Sequence, residues 1–205
     1  PLALLEAKTP VRNAVSWVDG AKQIHEDYER FVPELFACNV LNVATEGKDL
    51  RYGAIHTPLE HWSPWIVDSL KARLTASKQN QASVDEEPRI ATPPKPDIKQ
   101  LAESIPNLLR PNLLLDILAN FTLFATDKKK RRLKIICRYQ QYEGANKIVQ
   151  RVLEGKTKKG LIWHFQGSGK SLLMVFAAQK LRLQPDLRNP TVLIVVDRLD
   201  LDAQI

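Results

Sequence analysis

Gly167-Ser168-Gly169-Lys170-Ser171 sets three small residues ahead of a lysine and a hydroxyl, a combination that can hold a chain of phosphates. Small residues let consecutive backbone N–H groups turn inward on an anion, and a following helix N-terminus adds its positive dipole end. Lys170 would then reach the β- and γ-phosphates of a nucleotide, and the Ser171 hydroxyl would ligate Mg²⁺. The usual pattern opens on glycine, where this chain has His164. A loop of this kind works between a strand and a helix. The sequence predicts that setting: an apolar strand Gly160 to Trp163, an apolar-periodic helix Lys170 to Leu183, and a buried-type strand Thr191 to Val196. The expectation is a βαβ unit with the loop at its first turn, binding a nucleoside triphosphate with Mg²⁺. A glycine-rich surface turn is the plainer alternative.

A second candidate is Glu6-Ala7-Lys8. Residues two apart on a strand point the same way, so a carboxylate and an ammonium share one face. Alone, the pair reads first as a surface ion pair on an edge strand. The elements around it form a small α/β set: a strand Leu2 to Ala7, then a helix between Ala14 and Phe31 with Asn13 as its candidate N-cap. Its apolar positions are Ala14, Trp17, Val18, Ala21, Ile24, Tyr28 and Phe31. Strands over Cys38 to Ala44 and Leu50 to Ile55 follow, joined by Glu46-Gly47-Lys48-Asp49.

From Leu74 to Lys99 the chain turns to Ser, Gln, Asn, an acidic run and four prolines, a composition that buries too little apolar area to offset its ordering entropy. The expected organisation is a domain over 1–73, a linker over 74–99 and a second domain over 100–205. In the latter, Pro111 opens an amphipathic helix. The basic cluster Lys128 to Arg132 reads either as a solvated loop or as a DNA contact. A strand Leu133 to Cys137 and a helix Gln140 to Leu153, stopped by Gly155, lead towards the loop.

The 205 residues are 44% apolar and 26% charged, ordinary for a globular chain, and a net charge of +7 suits an anionic partner. Cys38 and Cys137 are the only cysteines, too few and too far apart to encode a zinc site or disulfide framework. A reducing, cytoplasmic setting is expected. The greasiest stretch, Leu113 to Ala125, is interrupted by polar residues and too short for a bilayer crossing. The chain opens on Pro1 inside an apolar run and stops at Ile205 within an element, so it is expected to be an internal segment of a longer protein.

Taken in order, these features resemble the restriction (motor and nuclease) subunit of type I restriction-modification enzymes. The resemblance runs from Glu6-Ala7-Lys8 through Gln23, Tyr28, Pro33-Glu34-Leu35-Phe36, Gly53 and the Trp62 to Trp65 stretch. It continues through Asn120-Phe121, Arg138-Tyr139-Gln140-Gln141-Tyr142, Leu161-Ile162-Trp163-His164 and Val195 to Gln204. His164 is at home in that family. Two departures stand: four residues separate Gln23 from Tyr28 where the family usually has three, and Ile66 replaces a common lysine.

The resemblance implies an α/β chain: the end of a PD-(D/E)xK-type nuclease domain, then the start of a RecA-like P-loop helicase or translocase domain. It implies that Glu6 holds Mg²⁺, that Lys8 positions or deprotonates the attacking water, and that Gln23 and Tyr28 organise the site or contact DNA. A further Asp of the nuclease and the hydrolytic Asp-Glu box would lie outside the chain. It implies that Gln141 reads adenine with Arg138 beside it, that Gly167, Ser168, Gly169, Lys170 and Ser171 hold ATP, and that Arg198 touches DNA. The implied partners are double-stranded DNA and the modification (methyltransferase) and specificity subunits, with no membrane. Tyr139 serves equally as a base platform or a core residue, and Asp197 or Asp200 as a helix cap. The implied activity is ATP-driven DNA translocation ending in cleavage. The alternatives are a motor without a nuclease and a non-enzymatic nucleotide-binding adaptor.

Overall fold

A computed structural model describes residues 1–11, 15–66, 98–126 and 130–195, the side chains of 98–100 excepted. The chain divides into two units, Pro1–Leu114 and Leu115–Ile205. Most of the expected linker, residues 74–97, and the candidate cap Asn13 lie outside the described residues.

In the first unit, strand β1 (Ala3–Ala7) lies parallel to β2 (Leu41–Thr45), with Glu6 opposite Ala44. Strand β3 (Leu50–Gly53) returns antiparallel to β2, giving the order β1-β2-β3. Every residue of β2 is buried, as a central strand covered on both faces requires, whereas β1 is an edge with partly exposed positions. Gly47, with φ of +87°, supplies the left-handed turn between β2 and β3.

Helix α1 (Trp17–Gln23) makes the crossover. It starts later than the apolar spacing predicts because Ser16 caps it: the Ser16 hydroxyl accepts from Val18 N at 3.2 Å and Asp19 accepts from Ser16 N at 2.8 Å. The helix continues through a π turn over Ile24–Tyr28, in which the Glu29 N–H reaches the Ile24 carbonyl, and ends over Glu29–Phe31. Ala21, Ile24, Phe36, Ala44 and Trp62 form its core. A Cβ at Gly20 would lie 3.3 Å from Glu6 Cγ, so glycine lets α1 approach β1 at the position of the carboxylate. Helix α2 (Ile98–Leu108) also belongs to this unit, and Trp65 Nε1 donates to Asn107 Oδ1 at 3.1 Å.

The division between units falls inside helix α3 (Pro111–Asn120). Beyond it come an antiparallel pair, β4 (Thr122–Thr126) and β5 (Arg132–Ile136), then helices α4 (Tyr139–Glu154) and α5 (Lys170–Arg182). Gly155 ends α4 in the left-handed conformation that the sequence suggests. Helices α4 and α5 approach closely at Gly144, where a Cβ would lie 2.6 Å from Leu173 Cδ1. Phe121 is fully buried between Tyr142 and Phe176. Above it the Asp116 carboxylate accepts from Lys180 at 2.8 and 2.9 Å, from Tyr142 at 2.8 Å and from Asn120 at 2.7 Å. Burial pushes this carboxyl up, but those donors outweigh it and hold it below its ordinary range.

The strands expected around the phosphate loop are not formed among the described residues. Residues 160–163 and 191–195 carry no strand pairing. Leu161, Trp163, Leu193 and Val195 are 81–86% exposed. A buried-type strand takes its conformation from neighbours on both sides, and no described residue pairs with these two segments.

The first unit's helix is fastened to the segment after β3 by one buried carboxylate. Glu29 meets His56 Nδ1 at 2.7 Å and His25 Nδ1 at 3.0 Å, and accepts from the His56 N–H at 3.1 Å. That grip holds His56 at a left-handed φ of +58°. His25 Nε2 lies 2.9 Å from the Thr57 carbonyl. With acceptors at both ring nitrogens, His25 is best satisfied as an imidazolium, and the Glu29 hydrogen bond outweighs burial to raise its pKa. A raised histidine pKa gives stability that is complete below the unfolded value and lost as pH rises through the folded one. The unfolding free energy followed by tryptophan fluorescence is therefore expected to fall as pH rises beyond the ordinary histidine value of about 6.5. His25→Gln should flatten that fall, and an identical slope in wild type and variant would contradict the assignment.

Candidate active sites: a closed side-chain ring and a phosphate loop

Strand β1 and the α1 helix bring Glu6, Lys8, Gln23 and Tyr28 into one hydrogen-bonded ring. Lys8 Nζ lies 3.0 Å from Glu6 Oε1 and also donates to Gln23 Oε1. Gln23 Nε2 donates to the Tyr28 hydroxyl at 3.1 Å, which donates to Glu6 Oε2 at 3.1 Å. The π turn explains how Gln23 and Tyr28 meet despite the extra residue between them. An α-helix puts i and i+4 on one face, whereas a π turn does so for i and i+5. Burial and the Glu6 carboxylate push the Tyr28 phenol up, keeping it a donor.

Both oxygens of Glu6 are thus engaged, and it is the ring's only carboxylate. Among the described residues no group of three or more His, Cys, Asp or Glu side chains is placed to hold a metal ion. The ring can position a water or a phosphate oxygen through the remaining N–H of Lys8, two of whose three are taken by Glu6 and Gln23. It does not by itself form a cation cage, which needs several oxygen ligands.

The phosphate loop lies against the start of α4. Gly167 and Gly169 both have φ of +79°, and Gly169 leads into α5. The N–H groups of the first turn of α5 have no acceptor within the helix. Lys170 Nζ folds back onto the carbonyls of His164 and Phe165 at 3.2 and 3.0 Å. Arg138 Nη1 donates to the Gly167 carbonyl at 3.1 Å. Gln141, 1% exposed, accepts from Arg138 N at 2.8 Å and donates to the Gly169 carbonyl at 2.9 Å. A Cβ at Gly169 would collide with Gln141 Nε2, so glycine is needed there for space as well as for backbone angle.

Ser168 is also 1% exposed, and its hydroxyl has no hydrogen-bond partner among the described residues. An orphaned buried hydroxyl costs about 1–3 kcal/mol. A phosphate oxygen in the loop would satisfy it, so the residues present fit a nucleotide phosphate. Ser171, half-buried in the first turn of α5, is where a metal-ligating hydroxyl is expected.

The structure therefore gathers Glu6, Lys8, Gln23 and Tyr28 at one place and Arg138, Gln141 and residues 167–171 at another. Arg198, Asp197, Asp200, Lys128 and Lys129 lie outside the described residues. The Glu29 clamp and the Asp116 network go beyond the sequence expectations. His25 and Glu29, an i, i+4 pair, left a legible local signal; the separation of 64 residues between Asp116 and Lys180 left none. No described helix is long and apolar enough to cross a membrane.

The sequence profile of the SWI2/SNF2 ATPase family matches residues 140–205, which include Gln141 and the whole loop. Over 210 residues, all of this chain, the sequence is 33% identical to the type I restriction enzyme HindI endonuclease subunit of Haemophilus influenzae. It is 30% identical, again over its full length, to the putative type I restriction enzyme MjaVIIP and MjaVIIIP endonuclease subunits of Methanocaldococcus jannaschii. The chain spans 18% of each of these relatives. Matched from end to end and carrying an ATPase-family segment, the chain is similar along its whole length to one segment of the endonuclease subunits of type I restriction enzymes.

Proposed function

We propose that the chain carries parts of two chemistries of one enzyme: ATP hydrolysis at the Gly167 to Ser171 loop, driving movement on double-stranded DNA, and DNA cleavage at the Glu6, Lys8, Gln23, Tyr28 ring. The first unit is read as the end of a PD-(D/E)xK-type nuclease domain and the second as the start of a RecA-like motor. The observation carrying the motor reading is the orphaned Ser168 hydroxyl inside a loop that fits phosphate. The nuclease reading rests on the ring, because Gln23 and Tyr28 come from the following helix to join Glu6 and Lys8, where a lone ion pair would need only the latter two.

At the loop, the backbone amides and Ser168 hold phosphate oxygens, and Lys170 turns from its carbonyls to the β- and γ-phosphates. Ser171 would hold Mg²⁺, which when bound would supply charge neutralisation to the phosphates. Gln141 braces the loop through the Gly169 carbonyl. That contact favours a supporting role for the residue that the family resemblance assigns to adenine. In the ring, Lys8 offsets charge developing on a phosphate while Tyr28 and Gln23 fix its ammonium and the Glu6 carboxylate in register. Glu6 is proposed as one Mg²⁺ ligand among others outside the ring. The modification and specificity subunits are the proposed partners.

In the full-length subunit Lys170→Ala should reduce ATP turnover at least about a hundredfold, because it removes the ammonium from the charge developing in transfer. Near-normal turnover would refute the loop assignment. Glu6→Ala and Lys8→Ala should stop linearisation of circular DNA bearing a target site while DNA-stimulated ATP hydrolysis continues; Lys170→Ala should stop both. Cleavage that persists in Glu6→Ala would leave a motor without this nuclease site. Gln141→Ala should lower ATP and GTP turnover by similar factors if the amide braces the loop. A loss confined to ATP would show instead that it reads the base.

A further inference from the structure

The β4–β5 hairpin has two unlike faces. Its register pairs Leu123 with Ile135 and Ala125 with Leu133, and these partly buried apolar residues share one face. The other face sets Thr122, Phe124 and Thr126 against Ile136, Lys134 and Arg132. Phe124 is 64% exposed there, with Lys134 directly opposite and the Arg132 guanidinium 5.6 Å from its ring centroid. A large aromatic on the outward face adds nothing to the core beneath the other. No carboxylate occurs among the described residues of the hairpin, whose described cations are Lys130, Arg131, Arg132 and Lys134. Burial lowers the Lys134 pKa, and an anion beside it would oppose that.

We propose that this face is a DNA-contacting site, with Arg132 and Lys134 on strand phosphates and Phe124 stacked against a base or sugar; the assignment rests on the DNA-motor reading above. Cations interleaved with an exposed ring and threonine hydroxyls match a polyanion that also offers flat faces. An acidic protein surface would use the charges but leave the outward ring unexplained. The site is also placed to report to the nucleotide loop. Strand β5 ends at Ile136, and Cys137, which donates to the Phe121 carbonyl at 3.1 Å, leads to Arg138. Arg138 in turn holds both the Gly167 carbonyl and the Gln141 amide. Occupancy of the hairpin thereby bears on the loop across two residues, giving a route for DNA to stimulate ATP hydrolysis.

The test is fluorescence anisotropy of the full-length subunit on a labelled duplex and on the matching single strand, over a salt series, alongside DNA-stimulated ATP turnover. Arg132→Gln should weaken duplex binding and reduce the slope of log affinity against log salt by about 0.9, the loss of one phosphate contact. Phe124→Leu should weaken single-strand binding roughly tenfold with the salt slope unchanged, and Phe124→Tyr should restore it. Both weakened variants should need more DNA for half-maximal stimulation of ATP turnover. Wild-type affinities and slopes in Arg132→Gln and Phe124→Leu would overturn the proposal, as would loss of subunit assembly with DNA binding intact, which would give the face to a protein partner. If DNA fails to stimulate the wild-type subunit at all, it is the motor reading that fails.

Discussion

A side-chain amide that accepts at one end and donates at the other closes each of the two candidate sites. Gln23 takes a hydrogen bond from Lys8 and gives one to Tyr28. Gln141 takes one from the Arg138 N–H and gives one to the Gly169 carbonyl. An amide does both from two separate atoms at its tip without titrating, whereas a hydroxyl does so through a single oxygen. A carboxylate at position 23 would lose the donor to Tyr28, and an ammonium would face Lys8 with like charge. At position 141 a carboxylate would set its charge against the Gly169 carbonyl. Each glutamine binds elements that secondary structure alone would leave independent: strand to helix in the first unit, helix to loop in the second.

The backbone is bent to serve these ties. A regular α-helix would carry Tyr28 around by one further residue, away from Gln23 and Glu6; the π turn over Ile24–Tyr28 removes that rotation. Glu29, the first residue beyond it, is anchored by His25 and His56, so the irregular turn is held from its far side. Gly20 and Gly169 do comparable work by absence. One admits Glu6 beneath the helix and the other admits Gln141 beneath the loop.

What the sequence made legible follows the range of the interactions. Local signals locate the β1, β2 and β3 strands to within a few residues, the α4 helix with its Gly155 stop, and the start of α5 after the loop. Glu6 and Lys8 could be placed on one strand face because a strand repeats every two residues. The π turn was not legible, since nothing in Ile24-His25-Glu26-Asp27-Tyr28 departs from an amphipathic helix. The apolar spacing points to Asn13 as the cap, whereas Ser16 caps the helix, and Ser16 and Asp19 have the spacing of a capping box. The flanking strands at 160–163 and 191–195 show the reverse error. Their composition is that of buried strands, yet a strand needs a neighbour, which composition cannot supply.

The two sites differ in how they stand before any ligand arrives. In the ring, each side chain is engaged: Lys8 is shared between Glu6 and Gln23, and Tyr28 covers the second Glu6 oxygen. Whatever binds Glu6 must therefore compete with two hydrogen bonds, one of them from an ammonium, and such charge-assisted bonds are the stronger kind. The loop is unsatisfied instead. Ser168 is buried without a partner, and Lys170 rests on two carbonyls that offer it partial rather than full negative charge. An anion arriving there gives Ser168 an acceptor and Lys170 a full counter-charge, breaking only neutral-acceptor bonds. By this electrostatic reasoning the phosphate loop is primed for a ligand, whereas the ring is closed upon itself.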